Sequence, residues 1–504
     1  MKLLKDEERK FARVIARLSY GNPFLPERID AEREALGDEF QERGAEWNRR
    51  SPLNARHPNN VRMDERVNTL VNKIVAQWPG GKNPDPEDIL LYRDLALYKL
   101  FHDYRERFDK TIEDALEGNA EKERIGFFSL FKKDYEASLE KTGLESTTLS
   151  PDHLFSAFFQ VRRAFHHIHR SLVGKSRPIA RLRGAIWQSI FTHDMRRYER
   201  SLYLNMDDYA TLVTGPSGTG KELVARAIGL SRYLTFDPRR GRFEQDFVGS
   251  FHTLNLSALS PQLIESELFG HCRGAFTGAV QDRAGWLEIC PPGGTVFLDE
   301  IGEVAPDIQV KLLRVLQQRT FQRMGEAEPR HFHGKLIAAT NRDLSVEMRE
   351  GRFRPDFYYR LCSDQVVTPS LHEQLADSPD ELETLVRFVS RKLIPNKRDA
   401  ILFTDEACSW IGRQLGTDYP WPGNFRELEQ CLRNLLIRRD YCPPKSSDGH
   451  SADWLERARD HALTIDELLH HYCSEVYAQS GNLEETARRL KVDRRTVKNR
   501  LKKP

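Results

Sequence analysis

Hydrophobic positions recur at helical spacing through the first third of the chain. Phe11, Val14, Ile15 and Leu18 stand at i, i+3, i+4 and i+7, which predicts one buried face of a helix. Residues 91–108 repeat the pattern, with Leu95, Tyr98 and Phe101 continuing the face among charged neighbours. Pro79-Gly80-Gly81 and Pro84-Asp85-Pro86 predict a loop between helices. Residues 1–170 therefore read as a helical regulatory or sensor domain of unknown type. Near its end, Leu154, Phe158, Val161, Phe165, Ile168 and Leu172 are spaced alternately by four and three, a heptad seam. Such a seam predicts a helix packed on its own domain. The sharper alternative is a coiled-coil-like helix that pairs subunits or carries a signal.

The periodicity changes at about Ala210. ATLVTG, GGTVFLDE and KLIAATN are short apolar runs of strand type, with helical stretches at 222–230 and 307–318 between them. Strands alternating with helices predict a parallel sheet with helices on both faces. Residues 443–462 read as a linker. Three short helices are expected over 463–504. Thr464 with Glu467 fits a capping box for the first. The second covers 483–490, Lys491-Val492-Asp493 makes a turn, and Asp493 caps the third. Ala487 and Val497 stand where a helix-turn-helix needs a small and a branched apolar residue.

Length and composition narrow the class. A chain of 504 residues suggests about three domains. No stretch approaches 18 uncharged apolar residues, so no membrane span is expected. The start, MKLLKDEERK, is too charged for a secretory signal. The seven Cys are scattered and no two are spaced CxxC, which suits reduced thiols in a cytoplasm. His153, His166, His167 and His169 cluster without the Cys or carboxylate spacing of a metal centre. Formal net charge is only +2. That sum hides a local excess, because residues 484–504 carry nine Lys/Arg against three Asp/Glu, a balance of +6. Phosphates attract such a tail, and a third helix bearing Arg494, Arg495, Thr496, Lys498 and Asn499 suits the major groove of double-stranded DNA.

The strand ends carry the chemistry. Residues 215–222 read Gly215-Pro216-Ser217-Gly218-Thr219-Gly220-Lys221-Glu222, after an apolar strand and before a helix. Glycines there let several backbone N–H groups converge on one phosphate cluster at a helix N-terminus, and Lys221 adds a charge for the outer phosphates. Glu222 stands where a Mg²⁺-binding hydroxyl is usual. About 80 residues on, GGTVFLDE ends in Asp299-Glu300. At the C-terminal edge of a parallel sheet these carboxylates fall beside the phosphate loop. Asp299 can then hold Mg²⁺ through water, and Glu300 can polarise an attacking water, which predicts ATP hydrolysis.

The segment Gly274-Ala275-Phe276-Thr277-Gly278-Ala279 spells GAFTGA. It resembles the signature of bacterial enhancer-binding proteins, the sigma-54-dependent transcriptional activators of the AAA+ ATPase superfamily. GPSGTGKE, DIQVKLLRVLQQRTFQRMG, LIAATNRDL, FRPDFYYRL and YPWPGNFREL resemble further segments of that family, and Glu222 is usual in its phosphate loop. The resemblance covers about 170–504 and leaves the first third unmatched. It implies a multidomain chain: the helical domain at 1–170, an α/β P-loop AAA+ ATPase at 171–368, a helical lid at 369–442, the linker, and a Fis-type all-α helix-turn-helix at 463–504.

Roles follow from the same resemblance. Asn255 would be a switch residue pairing with Glu300. Thr340 and Asn341 would sense the γ-phosphate. Arg354 and Arg360 would be fingers reaching a neighbouring subunit's ATP, in a ring that is usually a hexamer. Arg426 would act from the lid, and the backbone of Val173 and Gly174 would meet the adenine. The GAFTGA loop, with Phe276 and Thr277 as an exposed tip, would touch sigma-54 bound to RNA polymerase. Pro355 restricts the backbone of Arg354, and 231–249 looks like an insertion. Lys491 replaces the usual turn glycine. A remodelling ATPase of another class and a non-hydrolysing DNA-binding regulator are the alternative functions.

Overall fold

The computed structural model describes residues 2–42, 57–78, 84–118, 125–139, 149–246, 248–443, 454, 458–459 and 463–501. The linker expected at 443–462 lies almost wholly outside the described residues. The chain forms two compact units, 1–436 and 437–504.

The first unit opens with six helices: α1 (Asp6–Tyr20), α2 (Glu27–Leu36), α3 (Pro58–Gln77), α4 (Pro86–Leu116), α5 (Phe128–Leu139) and α6 (Pro151–Ser171). The predicted face of α1 is buried, with Val14 and Ile15 nearly inaccessible. Asp85 caps α4 by accepting from the Glu87 amide at 3.1 Å. Asp88 in the first turn holds Arg9 at 2.7 Å and ties α4 to α1. A shared apolar core fills the space between these helices.

Next come α7 (Arg177–Phe191), α8 (Met195–Arg200), β1 (Thr211–Thr214), α9 (Lys221–Gly229), β2 (Phe236–Asp237), β3 (Arg242–Phe243) and β4 (Phe251–Asn255). After them lie α10 (Pro261–Phe269), β5 (Gly270–His271), β6 (Arg283–Ala284), α11 (Trp286–Ile289), β7 (Thr295–Asp299), α12 (Pro306–Gln318), β8 (Thr320–Phe321), β9 (Arg330–His331) and β10 (Lys335–Thr340). The α/β part ends with α13 (Leu344–Arg349), α14 (Pro355–Leu361) and β11 (Asp364–Val367). Five strands form one sheet in the order β11-β1-β10-β7-β4, and every pairing is parallel. β10 is buried along its whole length, as the apolar run KLIAAT requires for a strand covered on both faces. The register sets Thr214 beside Thr340 and Asn255 beside Asp299. Four helices follow, over the residues expected to form a lid: α15 (Leu371–Asp377), α16 (Glu381–Leu393), α17 (Lys397–Gln414) and α18 (Asn424–Arg438).

The heptad seam on α6 resolves to the packed helix, not to a free coiled coil. Leu154 and Phe158 lie in the core of the helical region, whereas Val161, Ile168 and Leu172 lie in a core shared with α7, α9 and the sheet. The residues on either side of 170/171, through 436, share one compact unit. The 231–249 stretch, expected to be an insertion, shows why. It folds as the antiparallel pair β2/β3, and Phe236 and Phe243 enter the core of the helical region. Phe236 lies 4.6 Å from the Phe155 ring, and Phe243 stacks on Phe159 at 4.2 Å. Ile125 N–H donates to Gly241 O at 2.7 Å.

The second unit holds α19 (Ile465–Ser480), α20 (Leu483–Leu490) and α21 (Arg494–Leu501). The Thr464/Glu467 capping box forms. Ala487 and Val497 are buried between the helices. Lys491 adopts φ 53°, a left-handed conformation that strains a residue with a Cβ.

The hairpin contact is testable. Phe236 is 1% exposed, so Phe236→Ala should lower the stability of the full chain by about 3–5 kcal/mol in chemical denaturation. A loss below about 1 kcal/mol would show that the hairpin does not hold the helical region.

Candidate nucleotide site

Parallel pairing brings the C-terminal ends of β1, β7 and β10 to one edge of the sheet. β1 runs into the glycine loop. Gly215, Gly218 and Gly220 take φ of 146°, 79° and 87°, and Lys221 opens α9. Lys221 Nζ donates to Gly215 O at 3.0 Å and Pro216 O at 3.1 Å, folded over the loop. Burial lowers its pKa, and the nearby Glu300 and Asp299 act in the opposite sense. Thr219 Oγ1 lies 2.6 Å from Thr368 Oγ1, so the residue after β11 braces the loop from the far side.

β7 ends in the expected carboxylates. Asp299 is half-buried, and burial pushes its pKa above the ordinary value while Lys221 pulls it down. Glu300 sits at φ 58°, a left-handed conformation that is costly away from glycine and concentrates at functional sites. Its carboxylate accepts from Asn341 N–H at 3.4 Å, which links β7 to the end of β10. Thr340 is buried and its hydroxyl accepts from Arg342 N–H at 3.1 Å. Asn255 is the neighbour of Asp299 in register, but the expected pair with Glu300 is not formed. Asn255 Oδ1 instead accepts from Ser257 N–H at 3.0 Å and Ser257 Oγ–H at 2.8 Å, a local turn that engages the side chain first.

Residues expected to form the lid bond to the glycine loop and to the segment after Gly174. At the phosphate end, Asn424 Nδ2 donates to Ser217 O at 2.9 Å and Phe425 N–H to Gly218 O at 3.1 Å. Arg426 Nη1 donates to Ser217 Oγ at 3.1 Å. At the other end lies the Val173-Gly174 segment. Lid residue Glu381, fully buried, accepts from Lys175 N–H at 3.1 Å and Ser176 N–H at 2.8 Å. Asp377 accepts from Arg177 N–H at 2.8 Å. Arg183 Nη2 donates to Gly174 O at 2.7 Å. Sequence reasoning missed Thr368, Arg183, Asp377, Glu381 and Asn424. Only Asn424 carried a local signal, as the residue after Trp421-Pro422-Gly423, where it takes a left-handed φ of 51°.

The donor set fits a nucleotide with a hard cation. Positive-φ glycines and a helix start suit phosphate oxygens, and a single half-buried carboxylate suits Mg²⁺ that keeps water and phosphate ligands.

Comparison with known proteins finds partial matches. Residues 192–367 match the model of the Sigma-54 interaction domain. Over that stretch, about a third of the chain, the sequence is similar to this domain. It is 45% identical over 226 residues to the Nif-specific regulatory protein of Azotobacter vinelandii, covering 45% of this chain and 39% of that one. The Klebsiella pneumoniae protein of that name is 41% identical over 270 residues, covering 50% and 47%. Transcriptional regulatory protein ZraR of Escherichia coli is 38% identical over 296 residues, covering 58% and 62%. The chain thus spans about half the length of the curated relatives it matches. NtrX from Brucella abortus aligns over 70% of this chain and 75% of its own at 25% identity, with a TM-score of 0.39, at which no detail carries across.

Within the matched residues, β5 and β6 pair antiparallel, and 274–279 lies in the loop they flank. Gly274 and Gly278 take φ of 80° and 101°, which no β-branched or bulky residue adopts readily. Gly274 N–H donates to Ala279 O at 2.9 Å and closes the loop. Thr277 is exposed, but the expected exposed aromatic is corrected. Phe276 is partly buried and meets the His271 ring edge-on at 5.0 Å. Val280, 80% exposed, is the bare apolar residue beside it. Arg354 has the extended backbone that Pro355 demands, and its guanidinium forks onto Asp356 at 2.7 and 3.0 Å. Arg360 is exposed and donates to Leu316 O at 3.2 Å.

A Cβ on Gly218 would come within 2.4 Å of Gly423 O in the lid. Gly218→Ala should therefore part the lid from the loop and weaken ATP binding at least tenfold by titration calorimetry. Unchanged affinity would show that the lid contact plays no part in binding.

Proposed function

We propose that the chain is an ATP-driven transcription activator that acts on sigma-54 RNA polymerase. Its substrate is ATP. The observation that carries the reading is the sheet edge where Lys221, Asp299-Glu300 and Thr340-Asn341 meet under lid residue Arg426, inside a chain that matches the sigma-54 interaction domain.

The residues divide the work as follows. The 215–222 backbone and Lys221 bind the phosphates, for which Lys221 exchanges its present carbonyl partners. Glu300 orients a water and accepts its proton as the water oxygen bonds to the γ-phosphorus, while the bond from that phosphorus to the β–γ bridging oxygen breaks and ADP leaves. Asp299 would hold Mg²⁺, which supplies charge neutralisation on the phosphate oxygens. Thr340 and Asn341 register the γ-phosphate, and the Asn341 contact with Glu300 relays its loss. Arg354 and Arg360, exposed on one segment, suit a neighbouring subunit's ATP in a ring, a hexamer by family resemblance. Arg354 must leave Asp356 to do so. Turnover lifts the GAFTGA loop and frees Phe276 from His271, so that Phe276 and Thr277 press on sigma-54.

The C-terminal helices complete the reading as a helix-turn-helix. Arg494, Arg495, Thr496, Lys498 and Asn499 are all exposed on α21, and Asp493 caps it through the amides of Arg495 and Thr496. That face suits the major groove of double-stranded DNA upstream of a promoter. Among the described residues, no helix is long and apolar enough to cross a membrane.

Two variants separate the parts. Glu300→Gln should bind ATP normally and lose at least about 100-fold in turnover. Retained turnover would remove Glu300 from the water-activating role. Thr277→Ala should hydrolyse ATP at the wild-type rate and fail to activate transcription from a sigma-54 promoter in vitro. Activation by that variant would mean that the loop is not the contact.

A further inference from the structure

We propose that Arg163 and Gln160, on the last helix of the N-terminal region, are positioning residues for the phosphate loop. The proposal rests on the ATPase reading above. It gives the helical region a direct mechanical hold on the site.

A helix ends with carbonyls that its own amides cannot satisfy. α9 begins at Lys221, so its far end decides how firmly the loop is seated. Each carbonyl from Arg226 to Arg232 has an identifiable partner. Arg226 O accepts from Leu230 N–H at 2.9 Å, Ala227 O from Ser231 Oγ–H at 2.5 Å and Ile228 O from Ser231 N–H at 3.1 Å. Gly229 O accepts from Thr295 Oγ1–H at 3.2 Å. The next three are taken by α6. Arg163 donates to Leu230 O and, at 3.2 Å, to Arg232 O, while Gln160 Nε2 donates to Ser231 O at 3.0 Å. Arg163 is 2% exposed and Gln160 1%, so water does not compete for these carbonyls. A guanidinium at this end also complements the negative pole of α9.

The neighbouring residue faces the other way. Arg162 forms a bidentate pair with Asp109 on α4, at 2.7 and 2.8 Å, with both side chains about nine-tenths buried. Two adjacent arginines thus join α4 to one side of α6 and the end of α9 to the other. The tie extends to the acidic strand. Arg232 donates to Gly294 O, and Thr295 opens β7, whose far end is Asp299. α9 is nine residues long, about 13 Å, and short enough to move as a rod. A shift of α6 is therefore delivered to Lys221 at one end and to β7 at the other. Displacements near 1 Å are enough to cost about 100-fold in such chemistry.

The test uses the full chain, with Arg163→Met, Arg163→Lys and Gln160→Leu. Folding is checked by thermal melting, turnover by steady-state ATP kinetics, and the loop by amide hydrogen exchange over 215–222. Arg163→Met should lose at least tenfold in kcat/KM for ATP and exchange at least threefold faster over 215–222. Arg163→Lys, which keeps the charge, should recover at least half of the wild-type kcat/KM. If Arg163→Met does not fold, Gln160→Leu should still lose twofold or more and loosen the same amides. A folded Arg163→Met or Gln160→Leu with wild-type exchange over 215–222 overturns the proposal. If the wild type itself shows no turnover, the ATPase reading fails, and the exchange measurement still decides whether α6 holds the loop.

Discussion

One constraint governs the rest: every pairing in the five-stranded sheet is parallel. Parallel strands all end at the same edge. The glycine loop, the acidic pair and the Thr340-Asn341 pair are separated by long stretches of sequence, yet each follows the C-terminal end of a strand. They meet because the register puts Thr214 beside Thr340 and Asn255 beside Asp299. β10, buried throughout, holds that register by having no solvent face to slip onto.

The second organising contact is α6. It contributes side chains to two cores and carries the buried Arg162–Asp109 pair. With the β2/β3 hairpin it makes the N-terminal helices an integral part of the unit that holds the site. A fragment beginning at 171 would expose Phe236 and Phe243 and leave the last carbonyls of α9 without α6. A change in its activity would therefore reflect lost packing as well as any lost regulation.

Much of this was legible because it is local. The face of α1, the strand ATLVT before its glycine loop, Asp299-Glu300 at a strand end and the Thr464/Glu467 cap are each written within a few consecutive residues. What escaped depends on contacts between distant segments. Glu381 grips amides about 205 residues away, and nothing in ELETL announces it. β2 and β3 have two residues each, too short for any period to show. Side-chain posture escaped as well. Asn255 stands beside Asp299 in register, but its side-chain oxygen serves Ser257, and Phe276 lies against His271. Residue types were readable, whereas partners chosen among several within reach were not.

The central question is whether this site converts ATP turnover into promoter opening. The direct measurement is strand melting on a sigma-54 promoter, read by permanganate reactivity with purified sigma-54 RNA polymerase and the full chain. Melting should appear with ATP and Mg²⁺ and be absent with a non-hydrolysable ATP analogue. Melting with the analogue, or none with either, would contradict the account.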